Sequence, residues 1–167
     1  KMKNLELDKK KAAREAYINP ELGLEAKERG NVAFREGNFP QAINEYEDAI
    51  KRDPTNSPFH NNLGAAYLKM GLFNDAKKVV EKSLELDPKY VKAWAKKGDI
   101  ETFMKEYHKA MESYKAGLQI EPDNSLCKQG LQAVMMKINT SQSEDDLKQR
   151  QAHAMADPEI QQILADP

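Results

Sequence analysis

The chain has 167 residues, 40% of them hydrophobic, with 26 basic and 27 acidic side chains and a formal net charge of -1. This balance gives no global pull toward nucleic acid or a membrane surface, so any electrostatic function has to be local. A lone cysteine, Cys127, excludes an internal disulfide and no apolar run nears the roughly 20 residues that span a bilayer, so the expectation is a cytoplasmic protein without a membrane segment.

Residues 1–17 are rich in Lys, Glu, Leu and Ala, contain no Gly or Pro, and predict a mostly solvated helix. Asn19-Pro20 breaks it, so residues 1–19 read as an N-terminal linker helix, with Tyr17 and Ile18 expected to pack on the helices after the break. From there the chain repeats with a period of 34 residues: Gly30, Gly64 and Gly98 align, as do Phe39, Phe73 and Tyr107. Ala42, Ala76 and Ala110 share a column, Ile50, Leu84 and Leu118 another, and Asp53-Pro54, Asp87-Pro88 and Glu121-Pro122 a fifth. Glycine and alanine let two helices approach closely, the aromatic fills the space between them, and the proline stops the second helix. Each repeat is therefore a helical hairpin, with first helices near 21–36, 57–70 and 91–104 and second helices near 40–52, 74–86 and 108–120.

The predicted architecture is all-α. Three stacked hairpins at about 23–56, 57–90 and 91–124 form a solenoid over residues 20–138, closed by a capping helix at 124–138 carrying Leu126, Leu131, Val134 and Met135. The run Thr140 to Asp146 is polar and unpatterned, and reads as a linker that also caps a following helix. Beyond it, Asp157-Pro158 and Asp166-Pro167 come after small or apolar residues. The first residue is not Met and the last motif looks cut short, so a piece of a longer protein is expected.

Residues three or four apart on one side of each first helix should point into a common groove. The sets are Lys27, Asn31 and Phe34; Asn62, Ala65 and Lys69; Lys92, Lys96 and Phe103. Four lysines and two asparagines make a local cationic, donor-rich site on a nearly neutral molecule. Such donors hold carboxylates, and a chain ending in aspartate offers two at once. The plainer reading of each lysine is a solvated surface residue; joint placement on one face argues against it.

This pattern of small residue, Gly, aromatic, two Ala and Pro resembles the tetratricopeptide repeat over about residues 21–122, which implies a right-handed superhelix with the first helices lining a concave groove. The groove residues also resemble the carboxylate clamp with which co-chaperones of this fold grip the Glu-Glu-Val-Asp tail of the 70- and 90-kilodalton heat-shock chaperones. That resemblance implies a clamp of Lys27, Asn31, Asn62, Lys92 and Lys96, with Phe34, Ala65, Lys69 and Phe103 as further contacts. One departure is Lys96, where the family more often has arginine; lysine keeps the charge and loses the two-pronged donor. Asp99, one turn on, adds a negative charge beside it. The Asp-Pro tail resembles the start of the small Asp-Pro-rich domain of the Hsp-organising, stress-inducible co-chaperones. At 139–167 it is too short to close a core and is expected to be partly disordered.

No nucleophile with a base, metal cluster or phosphate loop has convincing spacing, so neither catalysis, cofactor nor metal is expected. His60, His108 and His153 are far apart in the repeat plan, Cys127 suits a buried apolar role in the capping helix, and Glu144, Asp145 and Asp146 read as a solvated run. No basic stripe interleaved with aromatics suggests nucleic acid, and a monomer is expected. The rival readings are a scaffold binding an internal peptide or helix of another protein through an apolar groove, without gripping a free terminus, and a purely structural scaffold that self-associates.

Overall fold

The computed structural model describes residues 1–165, in which nine helices and no strand occur. They are α1 (Met2–Tyr17), α2 (Pro20–Arg35), α3 (Phe39–Arg52), α4 (Ser57–Lys69), α5 (Phe73–Leu86), α6 (Val91–Phe103), α7 (Tyr107–Ile120), α8 (Ser125–Ala156) and α9 (Pro158–Ala165). The six hairpin helices begin and end within one residue of the sequence expectation because local chemistry sets their ends. Asn19 and Asn38 accept from the backbone N–H of Leu22 and Gln41, capping α2 and α3. Gly37 and Gly71 turn the first two hairpins with φ of 76° and 73°, values that favour glycine. In the third hairpin Lys105 takes the same left-handed place at φ 62°.

Packing within each hairpin turns on the glycine column. A Cβ on Gly30 would lie 2.5 Å from the Tyr46 ring, one on Gly98 2.5 Å from the Tyr114 ring, and one on Gly64 would run into the Val80 side chain. Ala42, Ala76 and Ala110 are wholly buried, leaving room for nothing larger. Stacking of hairpins then builds a continuous core: Leu63 and Ala66 of α4 join Ala33, Ala42 and Tyr46, while Ala93 and Ile100 of α6 join Ala76, Val80 and Leu84. Tyr114, Cys127 and Val134 close the end under α8, where Cys127 is buried as expected of a packing residue.

The seam between the second and third hairpins also contains charge. Glu101 is 1% exposed, accepts a hydrogen bond from the Ser113 hydroxyl and lies 3.4 Å from Lys77 Nζ. Lys77 in turn stands 3.6 Å from Glu106, which is 2.7 Å from Lys109. Hydrogen bonding to Lys109 holds the Glu106 carboxyl below its ordinary range.

At the N-terminus, the end of α1 is fastened to α3. The Tyr17 hydroxyl donates to Asp48 at 2.5 Å, Arg52 lies 3.4 Å over the Tyr17 ring and donates to the Tyr17 carbonyl, and Asn19 N–H donates to the Arg52 carbonyl at 2.8 Å. Tyr17 therefore packs on the first hairpin, whereas Ile18 remains 45% exposed. The rest of α1 buries no residue, in keeping with a solvated helix.

The C-terminal segment differs from expectation. Residues 140–146 are not an unpatterned linker; α8 runs unbroken through them to Ala156. No Gly or Pro interrupts residues 131–156, and the hydroxyls of Thr140 and Ser143 bond back to the carbonyls of Met136 and Thr140, so they do not divert the backbone. The helix stops at Asp157, ahead of Pro158. In place of the expected disorder, α9 begins at once; Asp166-Pro167 lies outside the described residues.

Two outcomes are expected. Ala76→Leu overpacks the second hairpin and costs about 1–3 kcal/mol, read as a lower thermal midpoint. Because the Glu106 carboxyl is depressed in the folded state, its contribution is full above the ordinary carboxylate range and lost as pH falls through it, so the midpoint falls on acidification.

Candidate functional site: the inner faces of the first helices

The candidates lie on three successive first helices, α2, α4 and α6, and two of them, Asn31 and Phe34, touch the second helix α3. Lys27, Asn31, Asn62 and Lys96 are half-buried, and Lys92 is exposed at the start of α6. Burial at this level shields a charge from water without removing it, which strengthens whatever it pairs with. Lys27 lies 3.3 Å from Glu28 and Lys96 3.8 Å from Asp99, while no carboxylate of the described residues is within ion-pair distance of Lys92.

Asn31 is held from behind. The Tyr46 hydroxyl, brought to α2 by the contact on Gly30, donates to Asn31 Oδ1 at 2.6 Å. With its carbonyl oxygen occupied, the Asn31 side chain presents its amide N–H groups as a carboxylate would require. Burial pushes the Tyr46 phenol pKa up, so it stays a donor throughout the neutral range.

The further contact residues divide. Phe34 packs edge-on to Phe39 at 5.3 Å and belongs largely to the first core cluster, and Ala65 is a small half-buried position. Lys69, last in α4, is exposed. Phe103 is 63% exposed and stacks on Phe73 at 6.0 Å, an aromatic platform at the end of α6.

Comparison with known proteins identifies the repeat that carries these helices. A TPR repeat family matches residues 30–71, and tetratricopeptide repeat families match 57–90 and 91–124. Over its whole length the chain is 40% identical to Hsp70-Hsp90 organizing protein 3 of Arabidopsis thaliana, of which it covers 31%. The chain is a tetratricopeptide-repeat protein, similar over its own length to part of the Hsp70-Hsp90 organizing proteins. It spans under a third of the plant relatives it matches. Among solved structures, the TPR2AB-domain:pHSP90 complex of yeast Sti1 is 31% identical with a TM-score of 0.75, over 80% of this chain and 54% of that one. The second TPR domain of human RPAP3, in complex with the HSP70 peptide SGPTIEEVD, is 30% identical with a TM-score of 0.66, over 70% of this chain and 98% of that one.

Sequence reasoning missed Tyr46, Glu28 and Phe73, each of which touches a candidate residue. For Tyr46 a signal existed. Tyr46, Val80 and Tyr114 share one column of the repeat and Asn31, Ala65 and Asp99 another, so a polar residue in one accompanies a polar residue in the other, and apolar accompanies apolar. Tyr46→Phe is expected to leave Asn31 Oδ1 unpaired, lowering stability by roughly 0.5–1.5 kcal/mol. Side-chain amide resonances of Asn31 should then show averaging between rotamers that the wild type does not show.

Proposed function

We propose that the chain is a co-chaperone adaptor module that grips the free Glu-Glu-Val-Asp terminus of cytosolic heat-shock chaperones, that of the 70-kilodalton chaperone first and the 90-kilodalton one second. Lys27, Asn31, Asn62, Lys92 and Lys96 form the carboxylate clamp, and Phe34, Ala65, Lys69 and Phe103 receive residues upstream of the terminus. The observation that supports this most is the side chain of Asn31, its oxygen engaged by Tyr46 and its N–H groups left for a ligand beside half-buried Lys27. Full-length similarity to organizing proteins and the peptide-bound solved relatives support it independently. Among the described residues no helix is long and apolar enough to cross a membrane, and the module works in the cytosol as an adaptor, not as an enzyme.

The chemistry is recognition of two carboxylates at one chain end, the main-chain terminus and the side chain of the last aspartate. Each charge-assisted bond at a partly shielded site contributes about 1.5–3 kcal/mol, so two or three of them decide the binding. In a longer protein, α1 fastened at Tyr17 and Arg52 would carry a preceding domain at a set direction, which favours client transfer between two held chaperones.

Titration with the HSP70 peptide SGPTIEEVD and with SRMEEVD, the HSP90 peptide bound by the second TPR of Spaghetti (RPAP3), tests the reading. Lys92→Ala is expected to weaken binding about tenfold with folding intact, and amidating the peptide terminus is expected to abolish it. Affinity should fall as salt rises. Binding indifferent to amidation would favour recognition of an internal segment.

A further inference from the structure

The first and third hairpins repeat one contact with opposite chemistry. In the first, Tyr46 donates to an amide, Asn31. In the third, at the same repeat position, Tyr114 donates at 2.5 Å to a carboxylate, Asp99. One Asp99 oxygen is thus anchored, and the other lies 3.8 Å from Lys96 Nζ. The second hairpin has Val80 and Ala65 at these places and no polar contact.

The two consequences differ in sign. Asn31 turns donors outward and carries no charge, whereas Asp99 has no donor to offer and brings a negative charge onto the face that holds Lys92 and Lys96. Asp99 sits on the same stripe of α6 as both lysines, one and two turns on. It is also not a loose surface acid: the Tyr114 phenol that fixes it is buried against Gly98 and Gly130, and burial together with the bond to Asp99 pushes that phenol's pKa up, so it remains a donor. An ordinary helix-surface pair can swing away from an incoming ligand; this carboxylate is pinned beside its lysine.

From this we infer that Asp99 is an affinity-setting residue of the groove, an internal counter-anion that occupies Lys96 in the empty protein and competes with the carboxylates of an acidic chain end. The inference rests on the clamp reading and deepens it. Asp99 sets the affinity below what the lysines alone would give and shortens the time the tail stays bound. The same competition leaves Lys92 as the cation of the third hairpin that no carboxylate of the described residues engages.

The experiment is binding of SGPTIEEVD to the full 167-residue chain and to Asp99→Asn and Asp99→Ala variants, with rates as well as equilibria. Asp99→Asn reproduces the pairing of the first hairpin, Asn31 with Tyr46, and is the primary variant; Asp99→Ala takes the acceptor from the buried Tyr114 hydroxyl, so its thermal midpoint is measured alongside. Each should tighten binding about threefold or more, mainly through slower release. Asp8→Asn on α1, with the same change of net charge, should leave the affinity unchanged, and the difference between Asp99→Asn and wild type should shrink in high salt. Lys92→Ala in the same assay reports on the clamp itself. If Lys92→Ala weakens binding while neither Asp99 variant tightens it, the clamp stands and the role of Asp99 is overturned. Equal tightening by Asp8→Asn would also overturn it, since the effect would then be one of net charge.

Discussion

At Gly30, Gly64 and Gly98 the first helix of each hairpin comes so close to the second that a single added carbon would stand inside the ring of Tyr46 or Tyr114 or the methyl of Val80. That approach brings the helices together over buried alanines and lets successive hairpins stack, because a hairpin held apart would present no continuous apolar face to the next. It also places the groove chemistry. A tyrosine ring lying on Gly30 carries its hydroxyl past the helix axis to the next residue, Asn31, and the ring on Gly98 reaches Asp99 in the same way. Core packing and the orientation of the groove side chains are consequences of one contact.

Charge is used differently on the two sides of the solenoid. In the seam between the second and third hairpins, Glu101 is buried and compensated by Lys77 and Ser113, so removing either partner would leave an uncompensated charge. Lys27 and Lys96, by contrast, are half-covered, and their internal partners, Glu28 and Asp99, lie on their own helices. Such pairs add little to folding. They can exchange for a better-placed carboxylate, which the proposed clamp requires on a protein with a net charge of -1.

α1 and α8 are the two helices that reach beyond the packed hairpins. One is solvated along nearly its whole length and fastened at a single end, and the other leaves the core after Val134 and Ile138 and continues largely exposed.

Hairpin boundaries were legible in the sequence because they depend on near neighbours: a proline after an acidic residue stops each second helix, and the 34-residue period carries that stop from one hairpin to the next. The assignment of the candidate residues to first helices came from the same period, since spacing along a helix determines which side chains share a face. The column pairing of tyrosine with Asn31 and Asp99 was present as well, though only as a correlation between two positions 15 residues apart. The extent of α8 was misjudged because polar residues that often form linkers also continue a helix when nothing breaks it. What the tertiary structure alone decided was the partner of each face: that Glu101 is buried against Lys77, that Phe103 rests on Phe73, and that Asp99 is pinned by Tyr114 beside Lys96. Periodicity specifies the direction in which a side chain leaves its helix, but the atom it meets belongs to another helix, whose distance is set by the glycine contacts and the stacking of the whole array.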